Sequence, residues 1–357
     1  CCLWLLAENR PDFSSTGWRR TSGRGPRSPA QRRVSAMGRG VDAMHLVIEM
    51  LRSSVLAATP VLLAGLGGTY TYYANVFNIA MEGMMLIGAF TAVAGSYLAG
   101  SWVVGVLAGM AGGLAAALVF AVFAVYLRTD EFVTGTAINM LALGGTTYAL
   151  RQMFRVKGAF MSPRIQAIPR IRIPLIGGLP GIGPILSGHP FLVYVTLALA
   201  ILIEWHIFRT RYGLRLRAAG EDPRAVDSVG VSSDRIRAQA ILISGALCGL
   251  AGVYLSLGYV TLFAENMSNG RGWIALAVII LTRGRPLGLL TMSLVFGFFD
   301  GLGLSLQSTR IPPQFTQMVP YIATIAALYL YSREKKRVSV GQVGQAEKAE
   351  QVGQARQ

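Results

Sequence analysis

FLVYVTLALAILIEWHIFRTRYGLRLRAAGEDPRAVDSVG, residues Phe191–Gly230, sets two kinds of chain side by side. Phe191 to Phe208 is an unbroken apolar run of the length that crosses a hydrocarbon core. Thr210 to Gly230 is the longest polar passage inside an otherwise apolar chain, and it reads as a small folded object. Asp222 is a residue type that caps a helix N-terminus, and Pro223 suits the first helical position, where its missing N–H is not needed. Gly230 is the residue type that ends a helix in left-handed geometry. Between these caps lie barely two turns, with Pro223, Val226 and Val229 spaced to share one face. Helices shorter than about 12 residues are marginal in water, so this one makes sense if a partner receives it.

Beyond this stretch, the 357-residue chain is 53% hydrophobic and only 14% charged, with a mean hydropathy of +0.48. Runs of about 20 apolar residues recur, which predicts an all-α, polytopic transmembrane helix bundle. The runs are continuous rather than alternating, which argues against a β-barrel. The net charge is +16, but the Arg and Lys residues sit in loops and tails between spans. Anionic membrane lipids are therefore the expected partner of this charge, and nucleic acid is not. Cys1, Cys2 and Cys248 have neither ligand spacing nor a disulfide pattern.

Residues 1–43 carry eight arginines among Ser, Gly and Pro, and differ in composition from the rest of the chain. They read as a basic disordered or non-native extension, from an over-extended reading frame, with a mitochondrial transit peptide as the alternative. The membrane domain is 44–332. Its spans are placed at Met50–Tyr70 (with Pro60 inside), Asn75–Gly100, Ser101–Leu127, Phe132–Leu150, Phe191–Phe208, Ala238–Leu262, the short Trp273–Leu281, Leu287–Leu306 and Met318–Tyr331. With short or broken pieces included, about 8–10 membrane segments are expected from this pattern of runs. Gly105, Gly109 and Gly113, then Gly245 with Gly249, and Gly297 with Gly301, have the four-residue spacing that lets helices approach closely. Residues 333–357 read as a disordered cytoplasmic tail.

Four segments separate the polar loop 209–237 from the tail, so the loop, Arg283/Arg285 and Arg333/Lys335/Lys336/Arg337 fall on one side. By the positive-inside rule that side is cytoplasmic. Five spans before the loop then place the basic stretch 151–189, and the arginine-rich N-terminus, on the other side. Either a segment before the loop is broken or re-entrant, or residues 1–43 are absent from the native protein.

With these residues laid out, the chain resembles permease subunits of bacterial ABC uptake transporters for nucleosides and simple sugars, within the branched-chain amino acid/ribose permease superfamily. Asn78–Gly88 (NIAMEGMMLIG), Arg211–Gly230, Gly270–Gly288 (GRGWIALAVIILTRGRPLG) and Pro320-Tyr321 carry the resemblance, which spans about residues 50–332. Val226 stands where a second Ala is usual, Val231 stands for Ile, and Tyr70–Tyr73 replaces a charged turn.

The resemblance implies a permease half paired with a second permease in the cell membrane. The pair would sit on a tandem ABC ATPase and receive substrate from an extracytoplasmic substrate-binding lipoprotein. ATP and Mg would be held by the ATPase, and no cofactor by this chain. The polar loop becomes a coupling helix seated in the ATPase, with Gly213, Arg217, Gly220, Glu221, Asp222, Pro223, Val226, Val229 and Gly230 carrying the coupling. Arg211, Arg215 and Arg217 are candidates for lipid headgroups or acidic ATPase side chains. Nucleoside, ribose-like sugar and branched-chain amino acid are the substrate classes, in that order. A stand-alone secondary transporter and a membrane enzyme are the rival readings.

Ionisable and amide groups inside spans mark pathways by default. Asn78, Glu82, Asn139 and Asp300 are such groups. The first three offer hydrogen bonds to ribose hydroxyls or base edges, or else tie helices together and hold a broken helix start. Asn266, Asn269 and Arg271 precede a segment short enough to be half a crossing. The chain has no Gly-x-x-x-x-Gly-Lys-Ser/Thr, no HExxH, no Cys/His cluster and no Gly-x-Ser-x-Gly. ATP binding and catalysis within this chain are therefore not expected.

Overall fold

A computed structural model describes residues 29–171 and 187–307, with side chains described over 48–171 and 187–303. The span expected at Met318–Tyr331, Pro320-Tyr321, the tail 333–357 and most of the N-terminal extension lie outside these residues. Two compact units divide at Leu46/Val47, the first being helical from Pro29. The second unit, which begins at Val47, holds the membrane bundle and the site.

The described chain is a helix bundle. Helix α1 is Pro29–Tyr73, α2 Met81–Ala99, α3 Trp102–Ala121 and α4 Glu131–Phe154. Next come α5 Phe191–Arg209, α6 Arg211–Glu221, α7 Pro223–Ser228, α8 Ser233–Val253, α9 Arg271–Thr282 and α10 Pro286–Gln307. The chain continues from α3 into a π-helical turn at Val122–Tyr126, and from α8 into another at Tyr254–Tyr259. Two antiparallel pairs of two-residue strands, Ala159–Phe160 with Phe263–Ala264 and Arg170–Ile171 with His189–Pro190, tie the loops at one end.

Six described helices are long and apolar enough to cross a membrane: Ile48–Tyr73, Met81–Ala99, Trp102–Tyr126, Phe191–Arg209, Ser233–Tyr259 and Pro286–Gly303. The chain is a multi-pass membrane protein. Helix α4 has 24 residues, yet it is not among the six because its composition is more polar. Helix α9 has 12 residues. At 1.5 Å per residue it covers about 18 Å, little more than half a hydrocarbon core.

The span expected at Asn75–Gly100 needs correction. Residues 74–80 are not helical: Asn75 takes a left-handed backbone (φ 54°), and α2 begins only at Met81. The apolar run hid this break because Val76, Ile79 and Ala80 are buried as core residues within it.

The glycine spacings are packing devices. Gly109 and Gly113 of α3 lie against Gly88 of α2 and Gly249 of α8, close enough that a Cβ would collide with backbone. Backbones that approach so closely gain dispersion contact across the whole interface, which holds helices together without a hydrophobic driving force. In the same way Gly297 of α10 seats on Ser54 and Ala58 of α1.

The two ends of the bundle are distinct. Glu131 starts α4 beside Phe77, and Phe154 near its other end stacks on Phe160 at 4.0 Å. Those ends are about 36 Å apart at the helical rise. The basic loop from Arg155 to Ile171 is therefore at the end opposite α6 and α7. Arg52, near the start of the membrane span Ile48–Tyr73, lies against Gly188 at that same end. The broken start of α2 does not change the number of passes, so the break leaves the basic loop where the run count put it.

Candidate functional site

Helices α6 and α7 form the site. At the end of α5, Thr210 leaves the helical conformation, and its hydroxyl accepts from the Gly213 N–H at 3.2 Å, capping α6. Along α6, Leu216 and Ala219 are buried and Leu214 is 62% exposed, so the helix lies on the bundle with one side in solvent. Gly220 is required by sterics. A Cβ there would run into the Tyr73 carbonyl at the end of α1. The Arg217 guanidinium sits over the Phe208 ring at 5.4 Å, a cation–π contact that draws it onto the bundle.

Asp222 ends α6 and starts α7. One carboxylate oxygen accepts from the Arg224 and Ala225 N–H groups at 3.0 and 3.3 Å, and Pro223 takes the first helical position. Gly230 has φ 78°, the left-handed geometry that ends the turn. The grammar of caps expected from the sequence is therefore present in full.

The apolar stripe is split, however. Val226 is 6% exposed and belongs to the core, whereas Val229 is 74% exposed. Val226 turns inward because the short helix must itself be held to the bundle, so it cannot meet a partner. The outward surface of α7 is Arg224, Ala225, Ser228 and Val229, with Glu221 and Asp222 exposed at its start.

Asp227 is a residue that the sequence does not single out. Its carboxylate accepts from the Ser233 N–H at 2.8 Å and the Ser233 hydroxyl at 3.0 Å, fastening α7 to the start of α8. The available signal is an acid six residues before a Ser at a helix start. A second such group lies where α5 meets α6: His206 Nδ1 is 2.8 Å from the Tyr70 hydroxyl, and its ring stacks on Tyr212 at 5.2 Å. Burial pushes the Tyr212 hydroxyl up to about 12, so it is protonated at any working pH.

Two clefts flank these helices. One, of about 670 Å³, opens between the end of α1, the 74–80 turn, α6 and α9, lined by Tyr72, Asn78, Glu131, Arg217 and Glu221 among others. The other, of about 520 Å³, lies beside α7 and is rich in charge: Arg128, Glu131, Asp222, Arg224, Asp227 and Arg237.

The four membrane polar residues are engaged with the protein itself. The Glu82 carboxylate accepts from the Gly270 N–H at 2.8 Å and the Gly272 N–H at 2.6 Å. It thus caps α9, whose start lies about 17 Å inside the bundle, counting eleven residues back from its end. Asn139 accepts from the Gly83 N–H at 2.7 Å and donates to the Ile79 carbonyl at 3.0 Å, closing the broken start of α2. Asp300 pairs with Arg271 at 3.4 Å. Asn78 donates to the Ser244 hydroxyl at 3.1 Å, while its own carbonyl oxygen is buried without a protein partner among the described residues. Asn78 alone of the four borders the larger cleft.

A family profile described as branched-chain amino acid transport system / permease component matches residues 50–328. The chain is 34% identical over 304 residues to the guanosine ABC transporter permease protein NupQ of Bacillus subtilis, covering 81% of this chain and 93% of the relative. It is 32% identical over 314 residues to the putative glucose ABC transporter permease protein TsgC13 of Haloferax volcanii, with 80% and 92% covered. It is 31% identical over 302 residues to the nucleoside ABC transporter permease protein NupC of Lactococcus lactis, with 82% and 93% covered. A more distant match occurs in each of the same organisms: NupP at 24%, TsgB13 at 26% and NupB at 24% identity. No solved structure matches. Capped helices at one end of a multi-pass bundle and a profile match over most of the chain agree: the chain belongs to the family of branched-chain amino acid transport system permease components.

Proposed function

We propose that the chain is the membrane-spanning permease subunit of an ATP-driven importer for nucleosides or ribose-like sugars, with α7 as the element through which a separate ATPase moves it. The observation that carries this is the construction of α6–α7. Both helices are capped, Gly220, Val226 and Asp227 fasten them to the bundle, and Arg224, Ser228 and Val229 face outward. A six-residue helix gains nothing from projecting such a surface into water, whereas a receiving groove would bury it. Because α6 presses on the end of α1 at Tyr73 and α7 is bonded to the start of α8, a push on α7 is delivered to two membrane helices.

ATP hydrolysis belongs to the partner in this reading, since this chain has no phosphate-cradling loop. Nucleosides and sugars lead as substrates because the three relatives at 31–34% identity are named for guanosine, nucleosides and glucose, although the family description names branched-chain amino acids. The occurrence of two related permeases in each of those organisms supports a pair of permeases here. A binding lipoprotein on the outer side completes the proposed importer, by analogy with the uptake systems that the sequence resembles. The end carrying α6 and α7 is the cytoplasmic end.

The experiment is reconstitution of the complete transporter in liposomes. ATP-dependent accumulation of radiolabelled guanosine or ribose is expected, with none from the permeases without the ATPase. Uptake by the isolated chain driven by an ion gradient would overturn the reading.

A further inference from the structure

We infer that the outward face of α4 is the surface on which the second permease packs, with Gly144 and Gly145 forming the notch that takes its helix. This rests on the proposed function, in which the chain works as one half of a permease pair. Val133, Ala137, Leu141, Gly144, Tyr148 and Gln152 are all exposed and recur at three- and four-residue steps, so they share one side of the helix.

Lipid alone is a poor occupant of this face. Helix α3, its neighbour, shows lipid a purely aliphatic and aromatic surface, with Leu107 61%, Leu118 55% and Phe123 44% exposed. With its π-helical extension α3 is one of the six helices apolar enough to cross a membrane. Helix α4 runs the same height, but falls short of that composition and carries Tyr148 and Gln152 outward, bonded to each other at 3.3 Å.

The glycines of α4 divide in two ways. Gly135 faces inward, where a Cβ would meet Ile79 at 2.9 Å. At Gly144 and Gly145 no atom of the described chain lies within 4 Å of where a Cβ would stand. They sit near the middle of the helix, about 20 Å from its start. Glycine inside a helix costs about 1 kcal/mol relative to alanine. Two adjacent glycines that pack on nothing are therefore a cost that an approaching backbone would offset.

The first turn of α4, which holds Val133, begins at Glu131, and Glu131 on its inner side borders both clefts beside α6 and α7, so the helix reaches the end assigned to the ATPase. The last described helix, α10, packs on α1, α5 and α9 rather than on α4. The partner assigned to this face is a second permease, of the kind that occurs alongside each of the relatives above.

The test places the photo-cross-linker p-benzoylphenylalanine at Tyr148, and separately at Leu118 as the lipid-facing control, in the full chain in membranes where it transports. Adducts are identified by mass spectrometry. The expected result is a second polytopic permease captured from position 148 and not from 118. Capture of the chain's own residues 318–331 from position 148, lipid adducts alone from both positions, or permease capture from 118 but not 148 would overturn the assignment.

Gly145→Leu gives an independent reading. Its side chain enters open space, so the thermal stability of the isolated chain is expected to hold or rise, while recovery of the second permease in pull-down falls at least tenfold. Undiminished recovery would overturn the inference. If a second permease is recovered with wild type but cross-links elsewhere, the α4 assignment fails and the paired reading stands. If no second permease is recovered with wild type by any route, both fail.

Discussion

Replacing Asp222 by Ala and Pro223 by Gly together strips α7 of what sets its start. The alanine removes the carboxylate that accepts from Arg224 and Ala225 at 3.0 and 3.3 Å. Loss of such a cap costs about 1 kcal/mol. The glycine frees a residue whose φ was fixed in advance, which costs up to about another 1 kcal/mol through the unfolded chain. At 1.4 kcal/mol per factor of ten, a total of about 2 kcal/mol lowers the ratio of ordered to disordered α7 about 30-fold. The bundle is untouched, because Val226 and Asp227 are the contacts that reach it and both remain. In liposomes holding the complete transporter, the substrate moved per ATP hydrolysed is expected to fall roughly tenfold or more, with ATPase activity retained. Asp222→Asn alone, which preserves a capping oxygen, is expected to keep most of the coupling. An unchanged ratio in the double variant would refute the claim that an ordered α7 transmits the motion.

Other perturbations test the scaffold. Glu82→Ala leaves the Gly270 and Gly272 N–H groups buried without their acceptor. A loss of about 2–4 kcal/mol is expected, read as a lower unfolding temperature in detergent. Glu82→Gln should recover part of it. Asn139→Leu orphans the Gly83 N–H and the Ile79 carbonyl and is expected to cost about 2–3 kcal/mol by the same assay. Were the unfolding temperature unchanged in both variants, neither residue would hold the broken helix starts. Gly220→Val drives a side chain into the Tyr73 carbonyl and is expected to displace α6, read as proteolysis within 209–230 at protease concentrations that leave wild type intact.

The helices are legible in the sequence because lipid demands long apolar runs, and Phe191–Arg209 or Pro286–Gln307 satisfy that demand without interruption. The caps of α7 are legible for a local reason: Asp222, Pro223 and Gly230 act on backbone atoms within a few residues of themselves. What stays hidden depends on contacts between distant segments. Val226 and Val229 have the same helical phase within a turn, yet only the bundle decides that one is buried. Asn75–Ala80 reads as span because Val76, Phe77, Ile79 and Ala80 join it to the apolar run of α2, and only its left-handed Asn75 and the Asn139 bonds show that it is not helical. In the sequence Glu82 and Asn139 suit substrate ligands and ties between helices alike. Their bonds to the starts of α9 and α2 are ties, and the cleft-lining Asn78 is the member of the set whose side-chain oxygen has no protein partner among the described residues.

Whether a separate motor grips this chain is decided at the exposed tip of α7. A cysteine in place of Val229, cross-linked with a short bifunctional maleimide in the assembled transporter, is predicted to yield an adduct with the ATP-binding subunit. It should also be shielded from a soluble maleimide in that assembly while labelling freely in the isolated chain. Free labelling in the assembled, transport-active complex, with no adduct to any nucleotide-hydrolysing subunit, would contradict it.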